Sequence, residues 1–323
     1  MACLSCIGIF VVISAVALKI YIKLNTRWNG SYTCLKGKTA IVTGSNTGLG
    51  YENALDFAMR GARVILACRS KSRADEARDK IVAKTGNQNV VVKLLDLQSF
   101  KSIRDFCEDI NKNEESLDIL VNNAGVAYLG EGKTEDGLLK VMQTNHFGPF
   151  LLTHLLIDKL KKSTPSRIVN VSSFLAKSAD LKLDQINEYP KTSTVQAENM
   201  LYNNTKLCNL LFTIELAKKL EGTGVTVLAA HPGATTTELG RGLNKFILMA
   251  FDVLRTLYFW KPVEGAQCQI YCSVAKNLEI YHGEFFGNCK KIEMYEKAKD
   301  VVLGKALWRK SEEMTKLGEN EKL

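Results

Sequence analysis

Residues 38–50 read KTAIVTGSNTGLG. A short run rich in β-branched and apolar types (Thr39, Ile41, Val42) gives way to three glycines, Gly44, Gly48 and Gly50, and then to an amphipathic stretch over 49–60. A strand that turns through such glycines into a helix is the opening of a dinucleotide-binding βα unit. The glycines allow a tight turn and let a pyrophosphate approach the N–H groups that begin the helix. A glycine-rich strand–helix turn also forms without a ligand, so the surrounding pattern has to decide.

That pattern alternates. Further strand candidates are 62–67 (ARVILA), 90–95 (VVVKLL), 117–121 (LDILV), 166–171 (SRIVNV) and 224–230 (GVTVLAA), and between them lie helical stretches at 72–84, 99–113, 134–160 and 198–221. Apolar strands separated by helices of this length predict an α/β fold, a doubly wound parallel sheet of Rossmann type with helices on both faces. The expected organisation is a membrane anchor at 1–24, a basic linker at 25–37, one catalytic domain at 38–303 with a substrate lid at about 234–262, and a surface helix at 304–323 with Trp308 packed inward.

Composition is that of a folded chain: 323 residues, 46% hydrophobic and 24% charged, with a formal charge of +9. This excludes a disordered tail protein and a polytopic transporter. The charge is unevenly placed. Lys19, Lys23, Arg27, Lys36 and Lys38 all precede Glu52, the first acidic residue. A nucleic-acid binder carries its bases on the folded surface, whereas these flank the uncharged stretch 2–18, ACLSCIGIFVVISAVAL. With the apolar triplet at 20–22 and Lys19 snorkelling, that stretch is long enough for one membrane helix. A signal peptide cleaved after Ala15-Val16-Ala17 and a buried soluble helix are the other readings. The anchor is favoured because every base follows the apolar run, which by the positive-inside tendency puts the body in the cytosol. The sequons at Asn29, Asn170 and Asn203 agree, since two of them fall where the catalytic site is expected and a luminal body would risk glycans there. Seven cysteines beyond the anchor have no paired spacing, and the four histidines no ligand spacing, so no metal is expected.

The end of the second strand bears on the cofactor. An NAD site needs an acid there to hold the ribose 2′-hydroxyl; this chain has Cys68, followed by Arg69, Lys71 and Arg73. A neutral residue lifts the repulsion of a 2′-phosphate and a guanidinium can grip it, so NADP(H) is expected. Downstream, Tyr202 and Lys206 lie one helical turn apart. A phenol with a pKa of ~10 needs help to exchange protons near neutrality, and an ammonium beside it can lower that value. Val171-Ser172-Ser173 closes the fifth strand, where ligands of open α/β sheets bind.

With TGSNTGLG at 43–50, NNAG at 122–125, Asn145, Ser173, Tyr202/Lys206 and His231-Pro232-Gly233 in place, the chain resembles the short-chain dehydrogenase/reductase family over about residues 36–315. CRS at 68–70, QTNHFGPFLLT at 143–153, RIVNVSS at 167–173 and FTIELAKKL at 212–220 resemble its microsomal retinol dehydrogenases. The resemblance implies Tyr202 as general acid/base, Lys206 as the group that lowers its pKa and holds the nicotinamide ribose, Ser173 rather than Ser172 as the carbonyl-orienting hydroxyl, and Asn145 as the anchor of a proton-relay water. It further implies Gly44, Asn46, Gly48 and Leu49 around the pyrophosphate, Asp96 and Asn123 on the adenosine side, and Pro232, Gly233 and Thr237 over the nicotinamide and phosphates. Thr205 stands where relatives often carry serine, and keeps the hydroxyl.

After Pro232-Gly233 comes KFILMAFDVLRTLYFWK (245–261), apolar except for a narrow stripe. It reads either as a core-packed lid or as one that dips into a membrane interface. Either suits a lipophilic substrate. The expected activity is NADP(H)-dependent interconversion of retinal and retinol or related isoprenoid aldehydes and alcohols. The alternatives are a ketosteroid or fatty-acyl carbonyl reductase and, in a different class, a non-catalytic NADPH-binding membrane scaffold. The expected location is the endoplasmic reticulum membrane with a cytosolic body, another organelle such as the mitochondrion being open. Lipid is an expected partner and nucleic acid is not; a homodimer is left open.

Overall fold

Strand β1 (Thr39–Thr43) is buried along its whole length. Its side chains alternate between the two faces of the sheet: Ile41 packs into one core, while Ala40 and Val42 pack into the other. The computed structural model describes residues 14, 16–21, 23–235 and 259–323. Helix α1 (Gly48–Met59) returns to β2 (Arg63–Cys68), α2 (Lys71–Thr85) to β3 (Val90–Leu94), and α3 (Phe100–Asn113) to β4 (Ile119–Asn122). Then follow α4 (Gly148–Lys162), β5 (Ser166–Val171), α5 (Thr194–Lys219), β6 (Val225–His231), α6 (Pro262–Val274), β7 (Phe285–Gly287), β8 (Lys290–Ile292) and α7 (Val301–Thr315).

The strand order is β3-β2-β1-β4-β5-β6-β7-β8, parallel through β7 with β8 antiparallel at the edge. Because the chain winds one way from β1 to β3 and the other way from β4 on, a crevice opens at the carboxyl ends of β1 and β4, where such sheets bind ligands. One core, with Ile103, Leu152, Leu210 and Trp308, packs α3, α4, α5 and α7 on one face. The other, with Phe57, Ile81 and Ile270, packs α1, α2 and α6 on the opposite face. Each fully buried side chain of this size stabilises the fold by ~1.5–3 kcal/mol.

Three departures from the sequence expectation have local causes. The stretch 134–160 is not one helix. Gly137, at φ +81°, closes a turn in which Thr134 N–H donates to Leu138 O at 2.8 Å, and Lys133 bridges Leu139. Helix begins only at Lys140, and Gln143–Phe147 forms a π-helical turn before α4. Strands β7 and β8, unforeseen, are three residues each and are joined by Asn288 and Cys289 at φ +50° and +55°. Two consecutive positive-φ residues make the tight hairpin turn whose twist matches the strands. At the C-terminus, α7 ends at Thr315 because Lys316 takes a left-handed conformation; its Trp308 packs on Phe150 at 5.1 Å between ring centres.

The stretch expected as a linker lies along the body as a strap. Arg27 N–H donates to Asn288 Oδ1 (2.8 Å), Asn288 Nδ2 to Asn25 O (2.8 Å), Asn29 N–H to Gln267 Oε1 (3.1 Å), and Arg60 to Ser31 O (2.7 Å). Residues 16–21 and 23–25 are helical. No helix among the described residues is long and apolar enough to cross a membrane, and residues 1–13, where the expected anchor begins, lie outside the described residues.

Candidate active site

The glycine turn forms the floor of the crevice. Gly44 and Gly48 have φ +64° and +58°, which only glycine adopts without strain. A Cβ on Gly50 would stand 2.6 Å from Asn123 Nδ2 and closer still to Gly44 O, so α1 approaches β1 through a bare backbone. No side chain caps α1 at Thr47, and a Cβ on Gly48 would meet nothing within 4 Å. The first N–H groups of α1 therefore face an open cradle, which fits an anionic pyrophosphate. Asn46 and Leu49 line this turn. Asn123 braces it: its Nδ2 donates to Thr43 O (2.9 Å) and its N–H to Thr43 Oγ1 (3.0 Å).

At the end of β2, Cys68 is buried and hydrogen-bonded to Ser45 Oγ at 3.4 Å, and burial raises its thiol. It is thus neutral and tied to the turn. Arg69 beside it is exposed, while Lys71 is paired with Asp75. After β3, Asp96 Oδ1 accepts from Gln98 N–H and its own N–H donates to Ser102 Oγ, which fixes the loop at this edge of the crevice.

Helix α5 brings Tyr202 and Lys206 to one face, with Lys206 Nζ 5.5 Å from the Tyr202 ring centre. Beside the Tyr202 phenol stands Ser173, which follows β5, caps a short turn by accepting from Leu175 N–H and favours the phenolate. Ser172 instead donates to Lys206 O at 2.7 Å, so its hydroxyl is committed to the backbone and only Ser173 faces Tyr202. Lys206 is 3% exposed. Its Nζ donates to Val171 O at 3.1 Å, and burial lowers it to about 8. Burial raises the Tyr202 phenol, and Ser173 opposes this.

Asn145 sits in the π-helical turn, a geometry that recurs at functional sites. Its Oδ1 accepts from Val126 N–H and its Nδ2 donates to Val126 O, both at 2.8 Å, and Nδ2 also donates to Thr205 Oγ1 at 3.1 Å. Gly125 lies between the two groups: a Cβ there would be 3.4 Å from Lys206 Nζ and 3.7 Å from Asn145 Oδ1. At the end of β6, Pro232 and Gly233 lead the chain over the crevice. A Cβ on Gly233 would run into the Trp260 ring, and Trp260 N–H donates to Ala234 O at 2.8 Å. Thr237 and most of the lid lie outside the described residues.

Three supports escape a reading of the sequence alone. Thr205, fully buried, donates to Tyr202 O (2.7 Å) while accepting from Asn145. Asn209 donates to the same Val171 carbonyl that holds Lys206. Glu198, one turn before Tyr202 and 2% exposed, accepts from Leu129 N–H, Gly130 N–H and the Tyr189 hydroxyl, which pins the loop above the site. The only signal for Glu198 is an acid at i−4 from Tyr202. No group of three metal-ligating side chains stands together among the described residues.

The short-chain dehydrogenase profile matches residues 38–183. Human retinol dehydrogenase 14 is 40% identical over 306 residues, covering 90% of each chain, and mouse retinol dehydrogenase 12 is 40% identical over 280 residues, covering 87% of each. The chain belongs to the short-chain dehydrogenase family. A solved structure of an uncharacterized protein from Mycobacterium paratuberculosis matches with a TM-score of 0.72 at 30% identity, over 90% of this chain and 98% of that one. Within the short-chain dehydrogenases this chain is an oxidoreductase related to the retinol dehydrogenases. The family binds nicotinamide cofactors, in keeping with the open glycine cradle beside Lys206.

Proposed function

We propose that this short-chain dehydrogenase uses NADP(H) to interconvert retinal and retinol, or related lipophilic isoprenoid aldehydes and alcohols, at the endoplasmic reticulum membrane with its body in the cytosol. The observation that carries the reading is the convergence of Tyr202, Ser173, Lys206 and Asn145 beside the glycine turn. When bound, the dinucleotide supplies or accepts the hydride.

In the direction of reduction, Ser173 and Tyr202 hold the carbonyl oxygen and Tyr202 gives it a proton. Burial keeps the phenol protonated, so it is loaded for this step. The phenolate that remains is stabilised by the Lys206 ammonium. Asn145 is held from both ends by Val126, so it is a fixed group for orienting a water that returns the proton. The cradle, Tyr202 and Lys206 would hold the cofactor, with Arg69 toward the 2′-phosphate. The absence of an acid at Cys68 and the exposed guanidinium of Arg69 support NADP(H). A cytosolic body is supported by Asn170, which is buried and donates to Thr213 Oγ1 at 3.0 Å; a glycan at this sequon would prevent folding. The membrane anchor rests on the uncharged stretch 2–18 and the bases that follow it.

The test is initial-rate kinetics with NADPH and NADH over a panel of retinal, farnesal and ketosteroids, on the full chain in membranes. NADPH-dependent loss of retinal or farnesal is expected, with turnover abolished by Tyr202→Phe and NADPH binding retained. Arg69→Ala should weaken NADPH by roughly tenfold or more, the loss of one charge-assisted contact of ~1.5–3 kcal/mol, and leave NADH unchanged. NADPH binding without turnover of any carbonyl would refute the enzymatic reading.

A further inference from the structure

The strap follows α6 from one edge of the sheet to the other. Helix α6 descends from the carboxyl edge, because the chain must return from the end of β6 to begin β7 parallel to it. Lys23 Nζ lies 3.7 Å from Glu264 in the first turn of α6, Asn29 N–H donates to Gln267, and Ser31 Oγ donates to Val274 O in the last turn. Asn25 and Arg27 are bonded to Asn288, which sits in the turn after β7, again at the carboxyl edge. The N-terminal helix therefore leaves the body at the edge that carries Tyr202, Ser173 and Gly233. Among the described residues, α6 lies between it and the crevice. A Cβ on Gly265 would stand 2.9 Å from Thr235 Cγ2, and a helix is ~10–12 Å across.

The surface at this exit is apolar where a water-facing helix would be polar. Val16, Leu18, Ile20, Tyr21 and Leu24 are 46–80% exposed, and beyond them Trp28 is 57% exposed although its neighbours Arg27 and Asn29 are hydrogen-bonded to the body. Lys19, Lys23 and Arg27 accompany this face and no acid precedes Glu52. Exposed aliphatics followed by an indole and bases match a bilayer: hydrocarbon, then the headgroup zone where tryptophan and cations settle. Tyr32 is also exposed, at 98%, but it lies beside Val274 at the far end of α6.

We propose that the strap is an orienting rib. It fixes the membrane helix rigidly to α6, so that the catalytic edge faces the bilayer, with Trp28 in the headgroup layer and Tyr32 in water. A lipophilic substrate then passes between the crevice and the lipid without crossing bulk water. The proposal rests on the anchor reading above and adds the direction in which the body faces.

The full chain is bound to phosphatidylcholine–phosphatidylserine vesicles whose acyl chains are brominated near the headgroup, and tryptophan quenching is read. Trp28 is one of three tryptophans, about one third of the emission if they are equal emitters. Trp28→Phe should remove that quenched share, and adding Tyr32→Trp to it should not restore it. The pair Gln267→Ala and Asn288→Ala should keep the chain on vesicles but abolish the difference between positions 28 and 32, as the freed body reorients. Their fold is checked by circular dichroism. Binding with equal quenching at 28 and 32 overturns the orientation and leaves the anchor standing. Failure to bind vesicles overturns both. Carbonyl reduction, measured separately in detergent, is decided independently of either.

Discussion

Replacing Lys206 with methionine should separate its electrostatic cost from its catalytic use. Lys206 is buried, with its pKa lowered from 10.5 to about 8 by desolvation. In the unfolded chain the ammonium is fully hydrated, so between about pH 8 and 10.5 the unfolded state holds a proton the folded state has lost. Raising the pH through this window therefore favours folding. A shift of this size corresponds to about 3 kcal/mol of destabilisation, fully present below pH 8 and relieved as the pH approaches 10.5. The methionine variant lacks this cost and also lacks the bond from Nζ to Val171 O, itself worth ~1.5–3 kcal/mol as a charge-assisted contact. Near neutrality the two nearly cancel. What does not cancel is the pH dependence: the stability of wild type relative to Lys206→Met should rise by about 2 kcal/mol between about pH 7.5 and 9.5. Urea titrations at several pH values, read by circular dichroism with the slope held common, measure the difference. Every other titrating group is shared and drops out. A flat difference would falsify the view that the ammonium is desolvated before cofactor binds. Turnover should be lost in the variant at every pH.

Gly50→Ala should unfold the protein or cost more than ~3 kcal/mol, because the clash is with the Gly44 carbonyl and cannot be relieved by rotating a side chain; thermal melts will read it directly. Ser311→Ala leaves the buried His146 Nε2–H without its acceptor at 2.8 Å, so a loss of ~1–3 kcal/mol is expected in chemical denaturation. Because His146 adjoins Asn145, activity in the surviving folded fraction should fall as well.

Strands β1 to β6 were legible because each is a run rich in apolar or β-branched residues, as in RVILAC of β2. Strands β7 and β8 were not, because three residues carry no periodicity and KKI is largely exposed. Tyr202 and Lys206 could be paired from spacing, since four residues on a helix are neighbours whatever the fold. Asn145 could not: its bonds to Val126 and Thr205 span 19 and 60 residues and depend on a π-helical turn that no pattern announces. The strap was read as a linker for a similar reason. Most of its partners, on Gln267, Val274 and Asn288, lie more than 230 residues away, and local composition does not announce them. The charge of Lys206 is visible in a sequence, whereas the burial that raises the Tyr202 phenol is not.

The two-residue turn at Asn288 and Cys289 has a consequence for crowding. By folding β8 back along β7, it ends the sheet on that side with a three-residue strand bearing Lys290 and Lys291, both exposed. A short, cationic border offers a neighbouring copy little length to zip onto and meets its counterpart with like charge. Copies held side by side at high surface density would thus be discouraged from growing into shared ribbons.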